Sequence, residues 1–290
     1  MRFGIAGLII IGAVAAMRAS AEPALSDSTP VPFQLIRGHI YVDGFVNGNG
    51  PYVFVFDTGA SGMGRADVRL AEELGLARTG QAQNSDGVNV APIDVVAADS
   101  LRLSGIEKRN VELLSRDYNR NRSAERPLVM GIFGADFFAD HLLTIDYPAS
   151  TVRFSRGELR AGEPGVFAYQ DGFRIPVCFA SACFQGAIDT GSNQTLVVPK
   201  DAVGKIRTSE PVLVGTGTRA NTVSKMYEMQ LLEPVRIGEV TAANFKIRYA
   251  DPSDDEINVG SGFLKDYVLT IDSRNRLLRL EPAPAAGERG

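Results

Sequence analysis

Two aspartates stand in the same small frame. Val55-Phe56-Asp57-Thr58-Gly59-Ala60-Ser61 and Ala187-Ile188-Asp189-Thr190-Gly191-Ser192-Asn193 each put a carboxylate after an apolar approach and two residues before a glycine. One such frame is a common turn, because Asp caps its own backbone and Gly supplies positive φ at a strand end. Two frames allow more. Carboxylates brought within hydrogen-bonding distance cannot both ionise cheaply, so they share a proton and their pKa values split. One then serves as general base on a water held between them, while the protonated one donates to a scissile carbonyl oxygen. That is hydrolysis by acid–base catalysis, without a covalent enzyme intermediate.

The neighbouring residues suit this chemistry. Thr58 and Thr190 can send hydroxyls across to the opposite loop backbone and fix the separation of the pair. Gly59 and Gly191 permit the tight turn and leave N–H groups to hold the carboxylates. Competing chemistries lack their parts. The two histidines are His39, in a strand ahead of the first frame, and His141, whose counterpart in the other half is Tyr267. A Ser-His-Asp triad is therefore not expected. No H-E-x-x-H, P-loop or dinucleotide-binding glycine pattern occurs, and no metal or cofactor is expected.

The elements that must position the aspartates are themselves duplicated. Gly134-Ala135-Asp136-Phe137-Phe138-Ala139-Asp140-His141-Leu142-Leu143-Thr144-Ile145-Asp146 aligns without a gap on Gly260-Ser261-Gly262-Phe263-Leu264-Lys265-Asp266-Tyr267-Val268-Leu269-Thr270-Ile271-Asp272, with seven of thirteen positions identical. The repeat unit exceeds a hundred residues, so each copy is a lobe rather than a solenoid turn. We expect a first lobe over 33–155, a linker over 156–165, where Gly, Pro and charge occur without periodicity, and a second lobe over 166–281. If the lobes pack about a pseudo-twofold axis, Asp57 and Asp189 meet at it.

Most segments between these marks read as short strands, among them 38–45, 52–56, 88–97, 101–103, 110–114, 173–184, 227–237 and 244–249. Short helices are expected at 67–74, 135–141 and 200–206. Without long helices a βαβ arrangement is excluded, and the lobes should be all-β. The arginine-rich stretch 115–126 reads as a solvated loop rather than a site for an acidic partner.

Of 290 residues, 44% are apolar and 22% charged, an ordinary globular balance that can bury two modest cores. A net charge of −4 offers nucleic acid no basic field. Residues 1–21 differ: Arg2 precedes an apolar run, and Ala19-Ser20-Ala21 has the small residues of a cleavage site. The run is short for a bilayer span, so a cleaved secretory signal is expected, with an uncleaved anchor as the alternative. The mature chain would begin with an extended leader, 22–32, too short to fill a cleft, and finish in a tail, 282–290. Export implies the periplasm in a Gram-negative bacterium and secretion otherwise. The two cysteines, Cys178 and Cys183, could face each other across a hairpin as a disulfide in an oxidising compartment, or remain two buried thiols.

With Asp-Thr-Gly in both halves, and Ile132-Phe133-Gly134 and Asn258-Val259-Gly260 following, the chain resembles the aspartic proteases of the pepsin and retropepsin type over roughly 33–280. The resemblance implies two acid-protease β-barrel lobes with the active site between them, Asp57 and Asp189 as the catalytic pair, and no cofactor. It implies an extended peptide or protein substrate, no nucleic-acid partner, and a monomer, since one chain supplies both halves. It also implies that the later segment threads behind each Asp loop and that a hairpin flap closes over each half. We place the flaps near 84–90, with Gly87 at the tip, and near 215–218, at Gly215 and Gly217. Two departures stand out. Asn258 takes the place of an apolar residue, which should loosen packing there, and Ser61 in the first frame is answered by Asn193 in the second, which should make the two carboxylates unequal. The alternative reading is a catalytically silent exported peptide-binding protein that keeps the fold.

Overall fold

The computed structural model describes residues 29–283. The expected signal segment 1–21, most of the expected leader and most of the tail lie outside them. Strands make up 53% of the described residues and helices 7%, which excludes the βαβ alternative and gives an all-β fold. The expected helices are short, at Val68–Glu73, Ala135–Phe137 and Lys200–Lys205, with a further turn at Ser261–Leu264.

The described residues form three sheets. An eight-stranded sheet is drawn from Gln34–Ile36 through Gly131–Phe133, and a nine-stranded sheet from Arg174–Phe179 through Ile257–Gly260. The third sheet, of six strands, takes members from both halves in the order Val31–Pro32, Thr151–Ser155, Leu142–Asp146, Tyr267–Asp272, Leu277–Pro282, Val166–Ala168.

The centre of that third sheet exposes the symmetry. Leu142–Asp146 and Tyr267–Asp272 are the duplicated segments, and they pair antiparallel with Thr144 directly opposite Thr270. These are equivalent residues of the repeat. In an antiparallel pair, only the residue on a twofold axis lies opposite its own equivalent, so the axis passes between these threonines. Their hydroxyls are 3.3 Å apart. Around them Leu143, Ile145, Leu269 and Ile271 are fully buried, with alternation of the kind a one-residue register slip would destroy.

The core beneath the aspartates is aromatic on one side. Phe56 stacks on Phe138 at 5.2 Å, and Phe138 reaches Phe173 of the other half at 6.4 Å, so one continuous apolar cluster underlies both sheets. Such ring pairs add to area burial by about 0.5–1.5 kcal/mol each.

Local structure departs from the sequence reading in three places. Residues 78–85, not expected as a strand, form Arg78–Ser85, and 88–97 with 101–103 join into one long strand, Val90–Leu103. Arg78–Ser85 is mostly exposed and polar, so it carries no apolar alternation to read. The stretch 115–126 is not simply solvated. Asn119 is buried, donating to Asp67 Oδ2 at 2.8 Å and to the Val129 carbonyl at 2.7 Å, while Asp67 caps the helix Val68–Glu73. Cys178 and Cys183 are directly paired across a hairpin and form a disulfide, their Cα atoms 4.0 Å apart.

Candidate active site

Each aspartate ends a strand that is wedged by the later segment of its own half. Gly131–Phe133 runs parallel to Asn49–Phe56 and antiparallel to Gly64–Asp67. In the other half, Ile257–Gly260 runs parallel to Cys183–Asp189 and antiparallel to Leu196–Val198. The threading extends into the loops with matched hydrogen bonds. Ala135 N–H donates to the Ala60 carbonyl at 2.8 Å and Ser261 N–H to the Ser192 carbonyl at 2.8 Å; Asp136 pairs with Gly62 at 3.1 Å as Gly262 pairs with Gln194 at 3.0 Å. Each loop is therefore fixed from behind at equivalent points.

Between the loops the link is reciprocal. Thr58 N–H donates to Thr190 Oγ1 and Thr190 N–H to Thr58 Oγ1, both at 3.0 Å. The two hydroxyls in turn donate to the Ile188 and Phe56 carbonyls, both at 3.1 Å. Both threonines are buried, so every donor in this lattice has a partner where water could not supply one.

The lattice sets the carboxyl groups against each other. Gly59 N–H donates to Asp57 Oδ1 at 2.8 Å and Gly191 N–H to Asp189 Oδ1 at 2.9 Å, and the two carboxyls lie close enough for the charge of Asp189 to act directly on Asp57. The glycines are required by proximity. A Cβ on Gly59 would lie 2.6 Å from Asp189 Oδ1, and one on Gly191 would run into the Asp57 carboxyl. Desolvation first, and then the neighbouring Asp189 carboxyl, push Asp57 up to about 8, against the pull of the Gly59 N–H and the Arg65 cation. The pair therefore keeps a proton well above the ordinary carboxylate range.

The surroundings are polar in a specific way. Arg65 is buried and donates to the Ser61 and Gly64 carbonyls. Burial raises Tyr118 to about 12 and raises Tyr147 further, the latter also feeling both aspartates. His39 is lowered by burial and by Arg126, while Asp189 acts in the opposite direction.

Two sequence expectations about asymmetry need correction. Ser61 makes no side-chain hydrogen bond to Asp57 among the described residues, and Asn193 accepts from Gln194 Nε2 at 2.5 Å rather than reaching Asp189. The departure expected only to loosen packing, Asn258, instead donates Nδ2 to Asp189 Oδ2 at 2.6 Å. Its position next to Asp189's strand, opposite Ala187, puts the amide where the first half has Ile132.

The hairpins also differ in part from expectation. Gly87 lies in the turn between Arg78–Ser85 and Val90–Leu103, with φ of +88°. Gly215 and Gly217 do not form a tip. They lie within the strand Val212–Thr218, where Gly215 adopts φ of +139° at a bulge, and the turn is 219–222, before Val223–Gln230. The glycine-rich tract resembles a turn in sequence, but Gly215 serves a bulge and Gly217 pairs regularly with Ser224.

The tips of the two hairpins interlock. Asp86 accepts from Asn221 N–H at 2.6 Å and from Thr222 Oγ1 at 3.1 Å; Asn221 Nδ2 donates to the Asn84 carbonyl at 2.7 Å, and Asn89 Nδ2 to Thr222 Oγ1 at 2.9 Å. Arg219 donates to the Asp86 carbonyl at 3.1 Å and pairs with Asp254, while Arg116 grips the Ala220 carbonyl at 2.8 Å and Asn221 Oδ1 at 3.0 Å. The expected flap at 84–90 contains Asn84, Asp86 and Asn89, but sequence reasoning missed their partners in the second turn, Arg219, Asn221 and Thr222, and the supporting Arg116 and Asp254. Polar side chains in turns show no periodicity, and partners over a hundred residues apart leave no local signal. Among the described residues no group of three or more His, Cys, Asp and Glu gathers as a metal site requires.

No curated protein matches the chain. Residues 42–137 match the family model described as Aspartyl protease. That segment contains the strand leading to Asp57, its Thr-Gly turn, the first hairpin and the Gly131–Phe133 strand behind them, so the first half of the chain is similar to the aspartyl proteases over the elements that build the Asp57 loop.

Proposed function

We propose that this chain is an aspartic endopeptidase in which Asp57 and Asp189 activate one water to hydrolyse a peptide bond. The observation that carries the reading is the reciprocal Thr58–Thr190 lattice, which spends four buried hydrogen bonds on holding two like-charged groups in contact. A scaffold without chemistry gains nothing from forcing two carboxylates together, since their mutual repulsion costs stability.

The water lies between the carboxyls. The ionised carboxylate takes its proton as the oxygen attacks the scissile carbonyl, and the protonated one donates to the carbonyl oxygen. Collapse of the tetrahedral species returns a proton to the leaving amine, and the pair ends with one proton as it began. Opening of the interlocked hairpins admits an extended peptide, which pairs along their edges as an added strand. One chain supplies both aspartates, so a monomer suffices. The Cys178–Cys183 disulfide supports export to an oxidising compartment, the periplasm if the source is Gram-negative.

Digestion of a peptide library, with new termini read by mass spectrometry across pH 3–8, tests the substrate class. Internal cleavage supports the reading; trimming of chain ends alone, or no cleavage at any pH, contradicts it.

A further inference from the structure

We infer that Asn258 is a positioning residue that fixes the division of labour within the pair, holding Asp189 as the ionised general base and leaving the proton on Asp57. The inference rests on the endopeptidase reading above and adds to it the assignment of roles.

The two halves are closely equivalent around the aspartates, from the threonine lattice to the loop hydrogen bonds. At position 258 the equivalence breaks. The Ile132 side chain gives Asp57 no hydrogen-bond donor, whereas Asn258 Nδ2 reaches Oδ2 of Asp189 at 2.6 Å, in addition to the Gly191 N–H on Oδ1. Asp189 therefore accepts a neutral donor on each oxygen, and Asp57 accepts one backbone donor, from Gly59. Donors to a carboxylate favour its charged form, so the negative charge settles on Asp189.

A second observation makes the amide's orientation informative. Asn258 Oδ1 is buried and has no partner. A carboxylate oxygen can only accept, so the NH2 group must face Asp189, and the carbonyl is left stranded on the other side. A residue chosen for packing would be apolar here, as Ile132 is. An amide that tolerates an orphaned oxygen to keep its donor on Asp189 marks a role in setting charge.

Other charged and titratable groups around the pair do not create the same bias. Arg65 attracts negative charge towards Asp57, opposing it. His39 feels Asp189, but burial and Arg126 lower it, and Tyr147 feels both aspartates. Tyr118 feels Asp57 and is itself raised, so it stays protonated. Of these groups, Asn258 is the one that donates to Asp189 directly.

The consequence appears on one side of the pH profile. The active, singly protonated pair gains a second proton at acid pH and loses its only proton at alkaline pH. Asn258 stabilises the charge on Asp189 in both the singly protonated and the fully ionised pair, so its donor affects the acid limb and leaves the alkaline limb in place. For Asn258→Val the acid limb of kcat/KM should move up by about one to two pH units, the worth of a hydrogen bond to a charged group.

The test pairs that profile with carboxyl 13C NMR of aspartate-labelled protein, which follows the pair's titration whether or not peptide is cleaved. Expected is an upward shift in both readouts for Asn258→Val and for Asn258→Leu, with the alkaline limb within a few tenths of a unit of wild type. An unmoved acid limb and unmoved NMR titration in folded variants overturn the inference. If neither variant folds, the side-chain amide resonance of Asn258 in the unaltered protein decides: it should shift as the pair takes its second proton, and indifference to that titration also overturns the inference. Absence of cleavage by wild type, with the NMR shift present, would sink the endopeptidase reading and leave the assignment of charge standing.

Discussion

Thr58 and Thr190 hold each other directly, each donating its backbone N–H to the other's hydroxyl at 3.0 Å. A second pair of equivalent residues, Thr144 and Thr270, faces off in the central sheet. Two such points define the axis on which Asp57 and Asp189 lie, so the placement of the aspartates is a property of the whole chain's symmetry. Thr58→Val removes the acceptor for the buried Thr190 N–H and the donor to the Ile188 carbonyl. It should cost about 2–4 kcal/mol of stability, since orphaned buried groups cost more than the lost bond itself. Thr190→Val should cost as much, and the double variant less than the sum, because both disrupt one lattice. Urea unfolding of the three variants measures this.

Gly191→Ala separates contact from charge. The new Cβ must displace the Asp57 carboxyl, while every titratable group remains. A displacement of about 1 Å at reacting groups is worth on the order of 100-fold in rate. Steady-state kinetics should show kcat falling by about that factor with the thermal unfolding midpoint little altered.

The raised Asp57 makes stability depend on pH with a definite sign. Between the usual carboxylate range and about 8, the folded chain keeps a proton that the unfolded chain releases, so stability is greatest at acid pH and falls as pH rises through that window. Asp57→Asn abolishes the slope. At pH 8 it should be more stable than wild type by about 1–3 kcal/mol, with the gain absent at pH 4. Denaturant midpoints at the two pH values provide the check.

The hairpin contact should have the opposite dependence. Burial works against charge on Asp86, yet the N–H groups of Asn89, Asn221 and Val88 and the Thr222 hydroxyl hold its carboxyl below the usual range. A depressed carboxyl favours the closed contact above its open-state titration and releases it as pH falls through the closed-state titration. Arg219, Asp254 and Arg116 face the same turn, and Asp254, raised by burial, is paired with Arg219. Protection factors over 84–90 and 219–223, taken relative to the intrinsic exchange rate at each pH, should be high at pH 7, lower at pH 3, and low at both in Asp86→Ala. Equal protection in wild type and Asp86→Ala at pH 7 would remove Asp86 from the contact.

The parts of this structure legible in the sequence are those governed by repetition and local pattern. The Asp-Thr-Gly frames, the Gly134 and Gly260 segments and the all-β character follow from spacing, apolar runs and missing long helices. Arg78–Ser85 was invisible because its faces are both polar and exposed, leaving pairing with Val90–Leu103 as its main reason to be a strand. The second turn was misplaced because Gly215 and Gly217 looked like a tip, whereas the chain uses Arg219, Asn221 and Thr222 there for contacts with the other hairpin. Asn258 was noticed as a departure and misread, since its partner is Asp189, 69 residues away. What escaped were polar side chains whose partners are distant in sequence, within one half for Asn258 and between halves for the hairpin turns.

The most direct measurement of the central claim is peptide hydrolysis, followed across pH, by wild type, Asp57→Asn and Asp189→Asn purified alike. The account predicts cleavage by wild type with a bell-shaped profile and a fall of at least about 1,000-fold in each variant, as loss of either half of a shared-proton pair requires. Hydrolysis at wild-type rate in either variant would contradict it.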